Sequence, residues 1–233
     1  MLFPAIKRWR CYLQQQQLQL WVGQQQHAQC RWQPERPLAE QLTSLLQHIP
    51  PAPAWFAALE FVVDTPHVSY LLTPWCEGLS RPAELRQYAA LLLAQQQDRQ
   101  QAMSVSLLHS GYGEPAFAAL LERQLLVTLR QCAAAQRLRF AGCCTPFSDL
   151  LTRFGRRLPA SALFASIGEQ ESSFACRYQQ RWHSIFTLRL PCHDLSQQLE
   201  TANRLAALPP LPHFVCRNTA DKRGFVQEKG VAA

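Results

Sequence analysis

The sequence predicts an α/β protein that is built from two similar subdomains with mixed sheets. Two observations lead to this prediction. Leu20-Trp21-Val22-Gly23 and Ser166-Ile167-Gly168 are strand segments that end in a glycine turn, and each opens a succession of strands, a helix and a further strand. With 233 residues and 48% hydrophobic composition, the chain is long enough to bury a core in one large domain or two small ones.

The elements of the first half follow from apolar periodicity and from turn residues. Period-two alternation predicts strands, apolar stripes at helical spacing predict helices, and proline or glycine marks their ends. The predicted elements are a hairpin at 18–23 and 27–32, a helix at 38–48, a second hairpin at 59–64 and 68–72, a helix started by Ser80 and Pro82, a strand at 104–109, a helix at 115–136 and a strand at 137–142.

The second half repeats the pattern after a linking helix. Thr145-Pro146 supplies an N-cap and a first-turn proline for a helix that reaches about Phe154. The elements predicted after it are a meander at 162–167, 172–178 and 182–189, a helix at 194–207 and a strand at 213–217. The predicted organisation is an N-terminal extension (1–17), a first subdomain (18–144), a connecting helix (145–158), a second, shortened subdomain (159–217) and a flexible tail (218–233).

Charge and hydropathy narrow the classes of partner. The formal net charge of +7 is compatible with an acidic partner, a membrane surface or nucleic acid. The basic residues are dispersed and no nucleic-acid-binding motif accompanies them, so nucleic acid is not an expected partner. No segment approaches the run of about 18 apolar residues that indicates a membrane helix. We therefore expect a cytoplasmic protein that contacts the membrane only through a partner.

The nine cysteines do not form the pattern of a metal site. Their number is odd and no Cys-x-x-Cys pair occurs, whereas structural zinc needs ligands clustered at short spacings. We expect no metal, and we expect free thiols that pack as small apolar side chains in a reducing compartment.

One segment of the first subdomain resembles a known bacterial family. Residues 62–75 read Val-Val-Asp-Thr-Pro-His-Val-Ser-Tyr-Leu-Leu-Thr-Pro-Trp. This stretch is similar to a recurring segment of the pilus assembly protein PilM and of the cytoplasmic part of the type II secretion protein GspL. The positions that match the family pattern are Asp64, Tyr70, Pro74 and Trp75, and Ser69 stands where arginine is usual. The resemblance implies an actin-like (ribonuclease H-like) fold, in a truncated or degenerate form.

The same resemblance directs attention to the phosphate loops of active members of that fold. Trp21 and Ser166 stand where the resemblance implies the aspartates that organise the metal in active members, and glutamines 24–26 replace small hydroxyl residues. Gly23 and Gly168 are retained, and they are interpreted as turn glycines. No Gly-Gly adenosine loop is found. We therefore expect no catalytic residues, no cofactor and no ATP hydrolysis.

These features together predict a non-catalytic cytoplasmic scaffold of a pilus or type II secretion-like assembly machine. The partner implied by the resemblance is an inner-membrane assembly protein, bound through its cytoplasmic tail, or an assembly ATPase. Tyr70, Pro74 and Trp75 are the partner-binding candidates, and a buried structural role is their alternative. Two other functions stay open, namely an ATP-binding protein with a degenerate site and a nucleic-acid-binding or regulatory adaptor.

Overall fold

Two five-stranded mixed sheets with the same strand order form the framework of the computed structural model, which describes residues 7–51, 57–79, 81–96, 102–168, 170–189, 194–218 and 223–228. The strands are β1 (Lys7–Leu13), β2 (Gln17–Val22), β3 (Gln25–Arg31), β4 (Ala57–Val63), β5 (Val68–Thr73), β6 (Met103–His109), β7 (Ala116–Glu122), β8 (Arg139–Cys144), β9 (Ala162–Ser166), β10 (Ser172–Tyr178), β11 (Arg181–Leu188), β12 (His213–Asn218) and β13 (Arg223–Gln227). The α-helices are α1 (Leu38–Leu46), α2 (Pro82–Gln96), α3 (Arg123–Ala135), α4 (Pro146–Phe154) and α5 (Leu195–Leu205).

The two large sheets repeat one topology in their first four strands and differ in the fifth, since β8 is parallel to β4 whereas β13 is antiparallel to β12. The first has the order β3-β2-β1-β4-β8, in which β1 is antiparallel to β2 and parallel to β4. The second has the order β11-β10-β9-β12-β13, in which β9 is antiparallel to β10 and parallel to β12. One helix, α1 or α5, connects the third strand of each half to its fourth. The predicted duplication of α/β subdomains with mixed sheets is therefore confirmed.

A small antiparallel sheet is inserted into the first half, between β4 and α3. Its order is β5-β7-β6, and α2 connects β5 to β6. The sequence prediction of a second hairpin is wrong, because β4 and β5 join different sheets. β4 pairs in parallel with β1 and β8, whereas β5 pairs with β7. Two strands separated by a short turn look like a hairpin in a sequence, whichever sheet each of them joins.

The predicted helix at 115–136 is wrong in its first part. Residues 116–122 form β7, and α3 begins only at Arg123. Residues 116–120 are all buried, because β7 is the middle strand of the inserted sheet. A strand that is covered on both faces shows a continuous apolar run, which periodicity alone does not distinguish from a helix.

The N-terminal end of the described chain is a central strand. Residues 7–13, which the sequence prediction assigned to an extension, form β1, with Trp9, Cys11 and Leu13 buried. Lys7, Arg8 and Arg10, which precede or separate these positions, obscured the alternation. Arg10 is accommodated because its guanidinium lies 2.7 Å from the Glu60 carboxylate and 3.3 Å from that of Asp149.

The C-terminal end also adds a strand. Residues 223–227, which the sequence prediction assigned to a flexible tail, form β13 beside β12, and the Phe225 ring stacks on that of Phe147 at 5.6 Å. The described part of this region is therefore held by backbone pairing and aromatic contact. Residues 1–6, 219–222 and 229–233 lie outside the described residues, as does Ser80.

An aromatic cluster joins the two halves. Phe117 of the inserted sheet lies 5.0 Å from Trp182 of β11 and 5.9 Å from Phe147 of α4, measured between ring centroids. The start of α4 is set by a capping box: Ser148 N donates to Thr145 Oγ1, and Thr145 N donates to Ser148 Oγ. This confirms the predicted start of the connecting helix.

Candidate functional site

A cleft of about 670 Å³ lies between the two halves, at the carboxyl ends of β1, β4 and β9. Its walls come from the β1–β2 turn (14–16), from the end of β3, from the residues that follow β4, from the start of the β9–β10 turn (167–168) and from α5. The lining residues are Gln14, Gln15, Gln16, Gln17, Gln29, Cys30, Arg31, Asp64, Thr65, Ile167, Gly168 and Gln198. Glutamine amides, which are neutral and both donate and accept hydrogen bonds, therefore dominate this surface.

The first of the two matched turns is not the one that the sequence predicted. β1 and β9 occupy the same place in the two strand orders, so Leu13, the last residue of β1, corresponds to Ser166, the last residue of β9. The β1–β2 turn therefore corresponds to the β9–β10 turn, and the predicted match of Gly23 with Gly168 is wrong. Gly23 lies in the β2–β3 turn, at the far end of β2, with φ +57°, and Trp21 is buried within β2. The error arose because β1 was not recognised.

Gln15 crosses the cleft and bonds to the opposite turn through both ends of its amide. Its Nε2 donates to the Glu171 carbonyl oxygen at 2.8 Å, and its Oε1 accepts from Gln170 N at 2.7 Å. We call this pair of bonds the Gln15 bridge. Gly168 leaves room for the bridge, because a Cβ atom there would lie 2.6 Å from Gln15 Nε2 and 2.3 Å from the Glu171 carbonyl oxygen.

Asp64 forms a second link between the halves, at the buried end of the cleft. Its Oδ1 accepts from Thr65 N at 2.8 Å and from Thr65 Oγ1 at 3.2 Å, and its Oδ2 accepts from Ser166 Oγ at 2.8 Å. Thr65 Oγ1 also lies 3.2 Å from Ser173 Oγ of β10. Burial raises the pKa of Asp64, and the hydrogen bonds from Ser166 and Thr65 oppose that rise.

Solved structures share this architecture across most of the chain. A protein of unknown function from Bacteroides thetaiotaomicron, described as having an actin-like ATPase fold, superposes with a TM-score of 0.61 at 9% identity, over 93% of this chain and 84% of that one. The chain has an actin-like fold. The predicted fold is thus confirmed, although no family model matches the sequence and no curated protein matches it.

Two further actin-like neighbours belong to assembly systems. The cytoplasmic domain of EpsL, an inner-membrane component of the type II secretion system of Vibrio cholerae, superposes with a TM-score of 0.57 at 12% identity, over 90% of this chain and 81% of that one. The PilM–PilN type IV pilus biogenesis complex gives 0.51 at 12% identity, over 88% and 67%. At identities this low, the superpositions establish a shared fold and nothing more.

Among the described residues, no helix has the length and apolar character needed to cross a membrane.

The actin-like fold implies a magnesium-bound nucleotide in this cleft, but the residues fit such a group poorly. Phosphate would need free backbone amides, and Gln170 N already donates to Gln15 while Gly168 N donates to Ser172 Oγ at 3.3 Å. Magnesium prefers carboxylate and other oxygen ligands. Asp64 is the one carboxylate among the described residues that line the cleft, and both of its oxygens accept hydrogen bonds from the protein. The described residues contain no group of three or more His, Cys, Asp or Glu arranged for a metal ion.

The three partner-binding candidates lie in two different environments. The Tyr70 ring packs against Phe147 at 4.9 Å and Phe117 at 6.0 Å, and its hydroxyl is buried without a hydrogen-bond partner among the described residues. Burial and then the charge of Asp64 raise the pKa of Tyr70, and the nearby Thr145 side chain opposes that rise without reaching hydrogen-bond geometry. Pro74 and Trp75 follow β5 at the surface, where Trp75 is 38% exposed. The structure therefore separates Tyr70, which belongs to the joint between the halves, from Pro74 and Trp75.

Trp75 has a neighbour that the sequence prediction did not select. Tyr112 is 90% exposed, and its ring stands edge-on to that of Trp75 with 5.7 Å between centroids. It lies in the Ser110-Gly111-Tyr112-Gly113 segment, where Glu114 N donates to the Gly111 carbonyl oxygen and closes a turn. An exposed aromatic residue between two glycines was the signal available for this position.

Proposed function

We propose that this protein is a non-catalytic scaffold of a pilus or type II secretion-like assembly machine. In this proposal it works at the cytoplasmic face of the inner membrane and binds the cytoplasmic tail of a membrane protein or an assembly ATPase. The similarity in fold to the EpsL cytoplasmic domain and to the PilM–PilN complex supports this class of role.

The Gln15 bridge is the observation that supports a scaffold without catalytic activity. A neutral amide from one half bonds to two backbone groups of the opposite turn, which the resemblance implies is a phosphate loop in active members of the fold. The chain thus links its two halves with its own side chain, and linking them in this way requires neither a phosphate nor a metal.

The surface around Pro74 and Trp75 is the best supported partner site. Large exposed aromatic side chains are enriched in protein interfaces, and Trp75 and Tyr112 form a contiguous pair of them. Tyr70 packs in the joint between the halves, so we do not assign it to this surface.

Site-specific photo-crosslinking in the cells that express the protein tests the proposal. Tyr112 is replaced by p-benzoylphenylalanine, and Leu205, a 59% exposed residue on α5, is replaced in the same way as the control. We expect position 112, and not position 205, to capture an inner-membrane component or the ATPase of a pilus or secretion system. Capture of no such component from either position, with both variants folded, would contradict the scaffold role.

A second candidate function is nucleotide binding without hydrolysis, which the size of the cleft favours. A volume of about 670 Å³ falls in the range of ligand sites, roughly 300–1,000 Å³. Titration calorimetry with Mg-ATP distinguishes the two functions. Saturable binding that weakens when Gly168 is replaced by a bulkier residue would establish a degenerate site, and the absence of heat beyond dilution would eliminate it.

A further inference from the structure

A small pocket beside Trp75 and Tyr112 has room for the end of one side chain. Its volume is about 120 Å³, the space of about four water molecules at about 30 Å³ each. The two rings meet at 72° and form adjacent walls, and the buried side chains of Leu85 and Ala116 lie among the lining residues. A pocket of this size is too small for a nucleotide or a folded element of a partner.

One carboxylate sets the charge of this pocket. Glu114 is the single charged residue among those that line it, although the chain as a whole is cationic. Its Oε2 lies 3.0 Å from His109 Nε2, which orients the carboxylate towards Gly111. A Cβ atom at Gly111 would lie 2.8 Å from that oxygen, so the glycine makes space for it.

Arg177 of β10 interacts electrostatically with Glu114, but its guanidinium is held by hydrogen bonds to other groups. Arg177 of β10 is close enough for Glu114 to raise its pKa against the lowering effect of burial, but its guanidinium donates to the Leu158 and Pro159 carbonyl oxygens at 2.9 and 2.8 Å. Among the described residues that line the pocket, none is a lysine or an arginine. Two aromatic walls and a carboxylate therefore face a space that no lysine or arginine of the described chain lines.

We propose that this pocket binds an arginine side chain of the protein partner, an inference that rests on the proposed scaffold function. A guanidinium is planar, stacks on tryptophan and tyrosine faces, and donates to a carboxylate, so it matches all three walls. An apolar side chain would displace water from the Glu114 carboxylate and add no donor to the contact with His109, which disfavours that occupant. Arginine also suits the proposed role, because it is enriched at protein interfaces together with aromatic residues.

Titration of the full chain with two peptides tests the inference. The probes are a short acetylated and amidated Gly-Ser peptide with one central arginine, and the same peptide with citrulline, which keeps the shape of arginine without its charge. The readout is the indole N–H resonance of Trp75, identified by its loss in Trp75→Phe. We expect the arginine peptide to shift this resonance saturably and to bind about tenfold more tightly than the citrulline peptide.

Variants of the walls distinguish the pocket from general charge attraction. Tyr112→Ala and Glu114→Gln should each weaken arginine binding severalfold, whereas Tyr112→Phe keeps the ring and should bind normally. Phe154→Ala is the matched control, because Phe154 is a 41% exposed aromatic residue on α4 that does not line the pocket. Equal binding of the two peptides would overturn the proposal in favour of an uncharged contact.

The outcomes separate this inference from the scaffold function. If neither peptide shifts the Trp75 resonance while crosslinking from position 112 captures an assembly component, the arginine pocket is wrong and the scaffold function stands. If the arginine peptide binds while crosslinking captures no such component, the pocket stands and the scaffold function is wrong.

Discussion

Replacing Gln15 with alanine is expected to loosen the contact between the two halves of the chain. The substitution removes both bonds of the Gln15 bridge, to the Glu171 carbonyl oxygen and from Gln170 N. It leaves the link between Asp64 and Ser166 in place, as well as the aromatic joint. The expected result is therefore a local release of the β9–β10 turn, with the chain still folded.

The magnitude follows from the number and exposure of the bonds. Each hydrogen bond contributes about 0.5–1.5 kcal/mol net, so two contribute about 1–3 kcal/mol. One bond is partly buried and the other is exposed, so water replaces Gln15 in the variant and the lower end applies. A loss of about 1 kcal/mol lowers the Tm of a chain of this length by about 2–4 °C. Exchange of the Gln170 amide proton should become about fivefold faster.

Amide hydrogen exchange and thermal unfolding measure these two effects, and Gln14→Ala is the control. Gln14 belongs to the same turn and also lines the cleft, but its side-chain bond is a local one, accepting from Gln17 Nε2 at 3.1 Å. The Gln14 variant should keep the parent exchange rate at Gln170. Equal rates in both variants, or an equal loss of Tm, would refute the bridge as a link between the halves.

Three further predictions concern neighbouring positions. Gly168→Ala should cost about 1–3 kcal/mol in thermal unfolding, because its Cβ would meet a backbone oxygen at 2.3 Å, and a variant of parent stability would contradict the close approach. Burial raises the pKa of Asp64 above 3.8, so the folded chain holds this proton more tightly and the contribution to stability is lost as pH rises through the folded value. In urea unfolding, Asp64→Asn should therefore gain stability relative to the parent as pH rises above 3.8, and a pH-independent difference would exclude this linkage. Tyr70→Phe should match or exceed parent stability because it removes a buried unbonded hydroxyl, whereas Tyr70→Ala should lose about 3–5 kcal/mol; parent stability in the alanine variant would show that the ring does not pack as described.

Local patterns in the sequence were enough to predict the elements that carry their own signals. The start of α4 depends on Thr145-Pro146, and the meander of β9, β10 and β11 depends on alternation between short turns. Both signals lie within a few residues of the element they define, so neighbouring side chains decide them. The duplicated fold could be predicted for the same reason, because each half repeats the order of strands and helix.

Pairing between distant segments decided the rest. Ala116–Glu122 is a strand because it lies between β5 and β6, and β1 is central because its apolar positions meet β4. The site depended most on such pairing. Gln15 and the Glu171 carbonyl oxygen are 156 residues apart, and only the registers of the two sheets bring them within 2.8 Å. The sequence by itself determined that this is a duplicated α/β chain without aspartates in the predicted phosphate turns. Which turns face each other, and which side chain crosses between them, was decided by the tertiary structure, because strand register is set by burial across the whole fold.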